Sequence, residues 1–341
     1  MKEKLIKPTI EDVAHYCGVS ISTVSRVINQ SAPVSENLKT QVLKAIKETG
    51  FTPRQWKDQP ATKTILMAVP DVLNPFYAEL LNGAQEEAER RGMHLLFLNI
   101  SENPEQQKYH LESINQWIFD GLIVAGTRLA ADYLSEFRAQ RQLPMVLSRS
   151  TEVPDFPCII PDYRTSTFHA VKYLLSLNHT RIAYISGPPE WVSSKMRLEG
   201  VQQALTDAGL TLAEELYRWS YVHIEESIHA VGHLLSLPIP KRPTAIIAFD
   251  DLIAIGALRA IYNKGLRSPQ DISVVGHNDN IIAAYTIPSL TTIAQPTYRI
   301  GQLTVKKLYD LLQDPAGTRG GTTMLVECPL IVRESTGPCP E

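Results

Sequence analysis

The chain has 341 residues, 44% of them hydrophobic, and a formal net charge of −3. That length suits two or three domains, and no apolar run reaches the ~18–20 residues of a membrane span. The first ten residues lack the apolar core of a signal peptide, which favours a cytoplasmic protein with no membrane partner. Because Cys17, Cys158, Cys328 and Cys339 show no C-x-x-C spacing, we expect reduced thiols and no metal site.

The charge is distributed unevenly along the chain. Residues 1–57 hold nine Lys/Arg and five Asp/Glu, which gives +4, so the remainder carries −7. A basic N-terminal segment on an acidic body indicates nucleic acid as the partner of that segment.

Residues 9–29, TIEDVAHYCGVSISTVSRVIN, predict two short amphipathic helices joined by a tight turn. Thr9 and Asp12 suit a capping box at the start of the first helix, and Gly18 suits the left-handed backbone of the turn. Ser20 caps the second helix. Apolar residues at helical spacing predict the buried face: Val13, Cys17, Val24, Val27 and Ile28.

The second helix has an outer face without Glu or Lys, which a helix selected only for solubility would carry. Its residues are Ile21, Ser22, Thr23, Ser25, Arg26 and Asn29. Small hydroxyl side chains beside one arginine and one asparagine are typical of a recognition helix in the DNA major groove. An ordinary helical hairpin in a globular core is the weaker interpretation.

A third helix is predicted from Ser35 to Thr49, ended by Gly50. Val42, Leu43 and Ile46 are expected to face inward, and Lys39, Lys44 and Lys47 outward. Ser35 at its start leaves backbone amides that suit a DNA phosphate. For each lysine, a solvated helix face is an equally good interpretation.

Residues 52–63 contain two prolines and little apolar pattern, and they predict a linker between a DNA-binding domain at 1–51 and a body at 64–341. In the body, strand-like runs alternate with helical patterns in two successive sets. Such alternation predicts an α/β fold of two lobes, each a parallel sheet with helices on both faces. We expect lobe one at about 64–160 plus 293–320, and lobe two at about 161–292 plus 321–341.

Ligands of such folds bind beyond the carboxyl ends of the strands. The segments there carry polar and aromatic side chains, which suit a small polyhydroxylated ligand. They are Asp71, Asn74, Phe76, Tyr77, Ser148, Arg149, Trp191, Arg197, Asp250, Asp251, His277, Asn278 and Asp279.

An enzyme is one alternative, since Asp250 and Asp251 are adjacent and nine histidines are present. However, no G-x-S-x-G, H-E-x-x-H, P-loop or GxGxxG motif occurs, and adjacent aspartates at a strand end diverge. We therefore expect no catalytic residues and no cofactor. A small-molecule binding module whose head contacts proteins is a further alternative.

The chain resembles the lactose/galactose repressor family of bacterial transcription regulators over nearly its full length. The most specific part is residues 9–53, TIEDVAHYCGVSISTVSRVINQSAPVSENLKTQVLKAIKETGFTP. The body matches in scattered motifs, among them FDGLIVAG, LNHTRIAYISGP, MRLEG, FDDLIAIGALRAI, DISVVGHND and PSLTTIAQP.

The resemblance implies a homodimeric repressor whose two heads read an inverted-repeat operator in double-stranded DNA. Ile21, Ser22 and Arg26 match positions that meet base edges, and Arg26 suits a bidentate contact to guanine. Positions expected to meet phosphates or to set the helix position are Thr9, Ser20, Thr23, Ser25, Asn29 and Ser35.

For the body, the resemblance implies a periplasmic-binding-protein-like pair of lobes with a small-molecule effector in the cleft. A sugar or sugar derivative is favoured, and a purine is the alternative. The effector positions are Phe76, Tyr77, Ser148, Arg197, Asp251 and Gln295, joined by His277.

Three departures from the family pattern stand out. The family linker is a short helix whose leucine enters the minor groove; here Lys57 and Pro60 stand near its alanine and leucine positions. Trp56 is a candidate for the wedge, and packing against the head is the alternative. The family's GFDD-like loop reads GHND, which introduces His277. Ser148 stands where aspartate is frequent, so the two body changes both remove acceptor charge.

Overall fold

A computed structural model describes residues 8–29, 34–51, 62–148, 156–314 and 321–340. Its internal contacts divide the chain into two units, Met1–Thr62 and Lys63–Glu341. The predicted linker falls largely outside the described residues, and so do the predictions for Trp56, Lys57 and Pro60. The boundary between residues 51 and 52 therefore stays a prediction.

The first unit contains the three predicted helices, α1 (Ile10–Cys17), α2 (Ile21–Asn29) and α3 (Glu36–Thr49). Their shared core is Val13, Ala14, Cys17, Val24, Val27, Val42, Ala45 and Ile46. The inward orientation predicted for Leu43 is wrong, because its side chain is 41% exposed. Val42, Ala45 and Ile46 already form the i, i+3, i+4 face that contacts the core, and Leu43 lies about 100° around the helix from Val42.

Lobe one of the second unit is built on a six-stranded parallel sheet in the order β11-β5-β4-β3-β1-β2. The strands are β1 (Thr64–Val69), β2 (His94–Asn99), β3 (Gly121–Ala125), β4 (Met145–Ser148), β5 (Cys158–Pro161) and β11 (Thr323–Val326). Its helices are α4 (Pro75–Arg90), α5 (Pro104–Ser113), α6 (Ala131–Arg141) and α11 (Thr297–Gln313). Alternate residues of β1 enter two separate apolar cores, one on each face.

Lobe two repeats this plan with the strand order β12-β10-β9-β8-β6-β7, parallel except for β12. The strands are β6 (Ile182–Ser186), β7 (Tyr217–Trp219), β8 (Ala245–Ala248), β9 (Ser273–Asn278), β10 (Thr291–Ala294) and β12 (Leu330–Ile331). The helices are α7 (Tyr163–Ser176), α8 (Val192–Thr206), α9 (Ile224–Leu235) and α10 (Asp251–Asn263). The predicted two-lobed α/β class with a helical head is confirmed. None of the helices in the described ranges is long and apolar enough to span a membrane.

The lobe boundaries near the C-terminus differ from the prediction. Strand β11 pairs in parallel with β5 of lobe one, so the assignment of 321–341 wholly to lobe two is wrong. Strand β10 pairs with β9 and so belongs to lobe two. The chain therefore returns to lobe one at residue 295 and not at the predicted residue 293. The physical reason is that a short apolar run can extend either sheet equally well, and only its pairing partner decides between them. The chain thus passes between the lobes after β5, β10 and β11.

Candidate functional site

The turn between α1 and α2 is built by local hydrogen bonds that the sequence predicts. Asp12 N–H donates to Thr9 Oγ1 at 3.3 Å and Thr9 N–H donates to Asp12 Oδ2 at 2.7 Å, which completes the capping box. These bonds from Thr9 lower the pKa of Asp12. Gly18 ends α1 with φ 65°, and Ser20 Oγ accepts from Thr23 N–H at 3.2 Å to cap α2. The orientation of α2 is therefore set by short-range contacts.

The outer face of α2 presents hydrogen-bonding side chains to solvent. Ile21, Ser22 and Arg26 are exposed, and Thr23 and Ser25 are half-buried. Ser20 Oγ lies 2.8 Å from both Ser22 Oγ and Thr23 Oγ1, so the hydroxyls form one cluster at the start of the helix. The side chain of Asn29 lies outside the described residues. Because this face carries no carboxylate, it suits close approach to a polyanion.

Two features of α3 complete the head. Ser35 is exposed at its N-cap and makes no side-chain capping bond. Gln41, which was not among the predicted residues, donates from Nε2 to the Cys17 carbonyl at 2.9 Å. That bond attaches α3 to the turn between α1 and α2. No periodicity distinguishes such a glutamine from an ordinary surface residue.

The seven residues predicted to bind an effector are all buried, each with at most 4% of its surface exposed: Phe76, Tyr77, Ser148, Arg197, Asp251, His277 and Gln295. Phe76 and Tyr77 open α4 in lobe one with edge-to-face rings 5.2 Å apart, after Asn74 Oδ1 accepts from Phe76 N–H at 3.0 Å. Ser148 ends β4 in the same lobe. The other four belong to lobe two or to the crossing after β10.

Arg197 is the centre of the buried group in lobe two. Its guanidinium carbon lies 4.3 Å from the ring centre of Tyr163 and 4.1 Å from that of Phe249. Burial, and then the charge of Arg197, hold the pKa of His277 well below its usual range. His277 Nε2 lies 3.4 Å from Thr167 Oγ1. The imidazole is thus neutral at pH 7.

The adjacent aspartates after β8 have separate roles, as expected. Asp250 Oδ1 caps α10 by accepting from Ile253 N–H at 2.9 Å. Asp251 accepts from Thr292 Oγ1 at 2.6 Å and from Asn280 N–H at 2.7 Å. Burial raises the pKa of Asp251 well above its ordinary value. Asp251 therefore holds β10 and the segment after β9 together.

The GHND segment is expected to be a loop, but Gly276, His277 and Asn278 lie within β9 and Asp279 directly follows the strand. Its last two residues are each held by a neighbouring side chain. Gln295 Nε2 donates to Asn278 Oδ1 at 2.6 Å, and Arg333 Nη2 lies 2.6 Å from Asp279 Oδ1. Asn278 and Asp279 both have positive φ, at 109° and 56°. This strained geometry needs such support from neighbours.

A cavity of about 610 Å³ lies between the lobes, beyond the carboxyl ends of β2, β3, β6 and β7. Its lining residues are Ser101, Glu102, Asn103, Pro104, Thr127, Arg128, Leu129, Ala130, Ala131, Glu190, Trp191, Val192, Ser193 and Tyr221. Of the residues singled out from the sequence, Trp191 is the one that lines it. The other lining residues lie in the segments after β2, β3, β6 and β7 and were not among those predicted from the sequence. The general rule that ligands bind beyond strand ends was the available signal.

Acidification is expected to destabilise the body through His277. The pKa of His277 is lower in the folded state, so the unfolded chain takes up the proton first as the pH falls. The free energy of unfolding therefore decreases below pH ~6.5, by at most about 1.4 kcal/mol per pH unit. His179 has a pKa lowered in the same direction by burial, whereas the raised pKa of Asp251 acts in the opposite direction. The measurement is therefore a comparison of two proteins, wild type and His277→Gln, by urea unfolding at pH 7.5 and 5.5. Wild type is expected to lose more of its free energy of unfolding between the two pH values than His277→Gln. Equal losses in both proteins would contradict the assignment.

The helical head and the two-lobed body together define a class of protein, the ligand-responsive regulators that bind DNA. Residues 9–54 match the family described as "Bacterial regulatory proteins, lacI family", and residues 171–336 match "Periplasmic binding protein-like domain". The chain is 33% identical to the HTH-type transcriptional repressor CytR of Escherichia coli (strain K12), with 99% of each chain covered. The chain belongs to the lacI family of bacterial regulatory proteins.

Two solved structures resemble the whole chain. The lac repressor dimer bound to operator and the anti-inducer ONPF matches with a TM-score of 0.76 and 28% identity, covering 97% of this chain and 100% of that one. The complex of the transcriptional regulator CelR with cellobiose matches with a TM-score of 0.73 and 28% identity, covering 96% and 100%. One of these relatives is a repressor bound to its operator and an anti-inducer, and the other is a transcriptional regulator in complex with cellobiose.

Proposed function

We propose that the chain represses transcription as a homodimer on an inverted-repeat operator, under the control of a small uncharged sugar or sugar derivative in the interlobe cavity. The observation that carries the proposal is the solvent-exposed, carboxylate-free outer face of α2 in a chain whose body also has an interlobe cavity. Under this proposal residues 1–51 are the DNA-binding domain, 52–63 the linker and 64–341 the effector-binding body.

The exposed side chains of α2 divide by reach and chemistry. Ile21, Ser22 and Arg26 are exposed and are assigned to base edges, with Arg26 on guanine. The hydroxyl cluster of Ser20 and Thr23, together with the open amides beside Ser35, is assigned to phosphates. Thr9, Ser25 and Asn29 complete the proposed DNA contacts.

Exposed apolar side chains on the body support assembly with a second copy of the chain. In lobe one, Leu96 and Phe97 lie exposed on the edge strand β2. In lobe two, Ile281, Tyr285 and Ile287 are exposed close together in sequence, the last almost completely. Exposed apolar surface of this kind marks interaction sites, and the similar lac repressor structure is a dimer.

The chemistry of the cavity supports an uncharged hydroxyl-bearing ligand. Glu102 and Glu190 offer acceptors, Ser193 offers a hydroxyl, and the exposed Tyr221 offers an aromatic ring. Among the described residues lining the cavity, Arg128 is the one cation, and it is ion-paired with Glu102 at 2.6 Å. A phosphorylated ligand would therefore meet net negative charge. Phe76, Tyr77, Ser148, Arg197, Asp251, His277 and Gln295 remain the proposed deeper effector residues.

The proposed DNA binding is tested by a gel shift of the full chain against a library of inverted repeats at several salt concentrations. We expect selective binding with a constant whose logarithm falls linearly with the logarithm of the salt concentration. The slope is expected to be about −0.9 for each phosphate contacted. Absence of salt-dependent binding would instead favour a head that contacts proteins.

The effector class is tested by thermal shift with neutral sugars, their phosphates and nucleosides. A ligand at a hundredfold excess over Kd stabilises the protein by about 2.7 kcal/mol. We expect shifts with neutral sugars and none with the matching phosphates. Stabilisation by purine nucleosides alone would transfer the assignment to the purine alternative, and chemical turnover of a bound compound would indicate an enzyme.

A further inference from the structure

One contact at the cavity joins the two lobes directly. The guanidinium carbon of Arg128, which follows β3 in lobe one, lies 3.6 Å from the ring centre of Trp191, which precedes α8 in lobe two. Arg128 has 10% of its side chain exposed, and Trp191 is 7% exposed. A cation over an aromatic face is worth most when both partners are shielded from water, as here.

The arginine is held firmly by its own lobe. Its Nε and Nη2 donate to Glu102 Oε2, at 2.9 and 2.6 Å. Its backbone N–H donates to Oε1 of the buried Gln107 at 2.8 Å, and Gln107 Nε2 donates in turn to the Ser101 carbonyl at 2.8 Å. The guanidinium is therefore positioned without any contribution from lobe two.

Trp191 is held equally firmly by lobe two. Its ring meets Phe249 edge to face at 5.8 Å between centres and forms part of that lobe's apolar core. Phe249 in turn lies against Arg197, which also lies against Tyr163. Tyr163 begins α7 directly after the first crossing between lobes, so the stack runs from the cavity to a crossing segment.

Each partner is thus rigid within its own lobe, and the contact between them depends on the distance between the lobes. Opening of the cleft would separate the guanidinium from the ring and expose both to water. We propose that Arg128 and Trp191 form a clasp that stabilises the closed cleft and sets the balance between its open and closed forms. This regulatory role rests on the proposed function, because the clasp borders the cavity assigned to the effector.

The clasp is tested on the full chain without DNA or effector, by hydrogen–deuterium exchange of the amides at 127–131 and 192–195. Arg128→Ala is expected to raise their exchange rates about 5- to 30-fold, the equivalent of a shielded cation–π contact. Arg128→Lys keeps the charge without the planar group and is expected to give an intermediate rise. The matched control is Arg138→Ala, because the guanidinium carbon of Arg138 lies 4.2 Å from the ring centre of Phe156 within lobe one. This variant should leave the exchange rates of these amides unchanged.

A double-mutant comparison separates the clasp from general destabilisation. Trp191→Leu is expected to give the same local rise as Arg128→Ala, and the double variant no more than either. Unchanged exchange in Arg128→Ala, additive effects, or a uniform rise across both lobes would each overturn the proposal. Since neither operator nor effector enters the experiment, its failure is distinct from failure of the proposed function, which the gel shift and the thermal shift report separately.

Discussion

Replacement of Arg26 by alanine is expected to weaken operator binding about 5- to 150-fold, the equivalent of about 1–3 kcal/mol for a bidentate contact to guanine. The side chain is exposed on α2, and no carboxylate on that helix competes for its guanidinium. Loss of a base contact should also relax sequence preference at one operator position. Equilibrium gel shifts on the selected operator and on single-base variants measure both effects.

Arg26→Lys is the matched variant, because it keeps the charge but removes the planar pair of donors. If Arg26 reads a base, both variants lose affinity on the preferred operator, and the salt dependence changes little. If Arg26 instead contacts a phosphate, Arg26→Ala reduces by about 1 the magnitude of the slope of the logarithm of the binding constant against the logarithm of salt concentration. Arg26→Lys then has the wild-type slope. That second outcome would contradict the assigned base contact.

Replacement of Gly301 by alanine is expected to destabilise the body by about 3 kcal/mol, at the upper end of ordinary overpacking. A Cβ at this position would lie 2.2 Å from the Leu80 carbonyl oxygen and 2.8 Å from the Ala84 nitrogen. Both are backbone atoms of α4, so the clash can be relieved only by moving α4 away from α11. The approach is reciprocal, because a Cβ added at Gly83 would collide with the Tyr298 carbonyl oxygen of α11. Urea unfolding of the purified variant measures the loss.

Gly232→Ala provides the control, since Gly232 lies inside α9 and a Cβ there has no neighbour within 4 Å among the described residues. Alanine at that position should stabilise the protein by about 0.5–1 kcal/mol, because glycine loses more backbone entropy on folding. Equal stability of Gly301→Ala and Gly232→Ala would contradict the close helix contact.

The head could be predicted from the sequence almost residue by residue. Thr9, Asp12, Gly18 and Ser20 act through hydrogen bonds and backbone angles within three residues of themselves, and such local chemistry is readable from spacing alone. The two-lobed plan was also predictable, because parallel strands buried on both faces leave continuous apolar runs. Leu43 was misplaced because two neighbouring apolar residues compete for one helix face, and only the partner helices select between them.

The sequence by itself determined the family, the short helices of the head and the alternation of strands and helices, since each of these depends on short-range patterns. The tertiary structure alone decided which strands join which lobe and which side chains line the cavity. Strand β11 reaches lobe one only through pairing with β5, and Arg128 meets Trp191 only because the two sheets end at the same cleft. Contacts between residues 63 positions apart leave no periodic trace in the chain, because they depend on how two separate sheets come together.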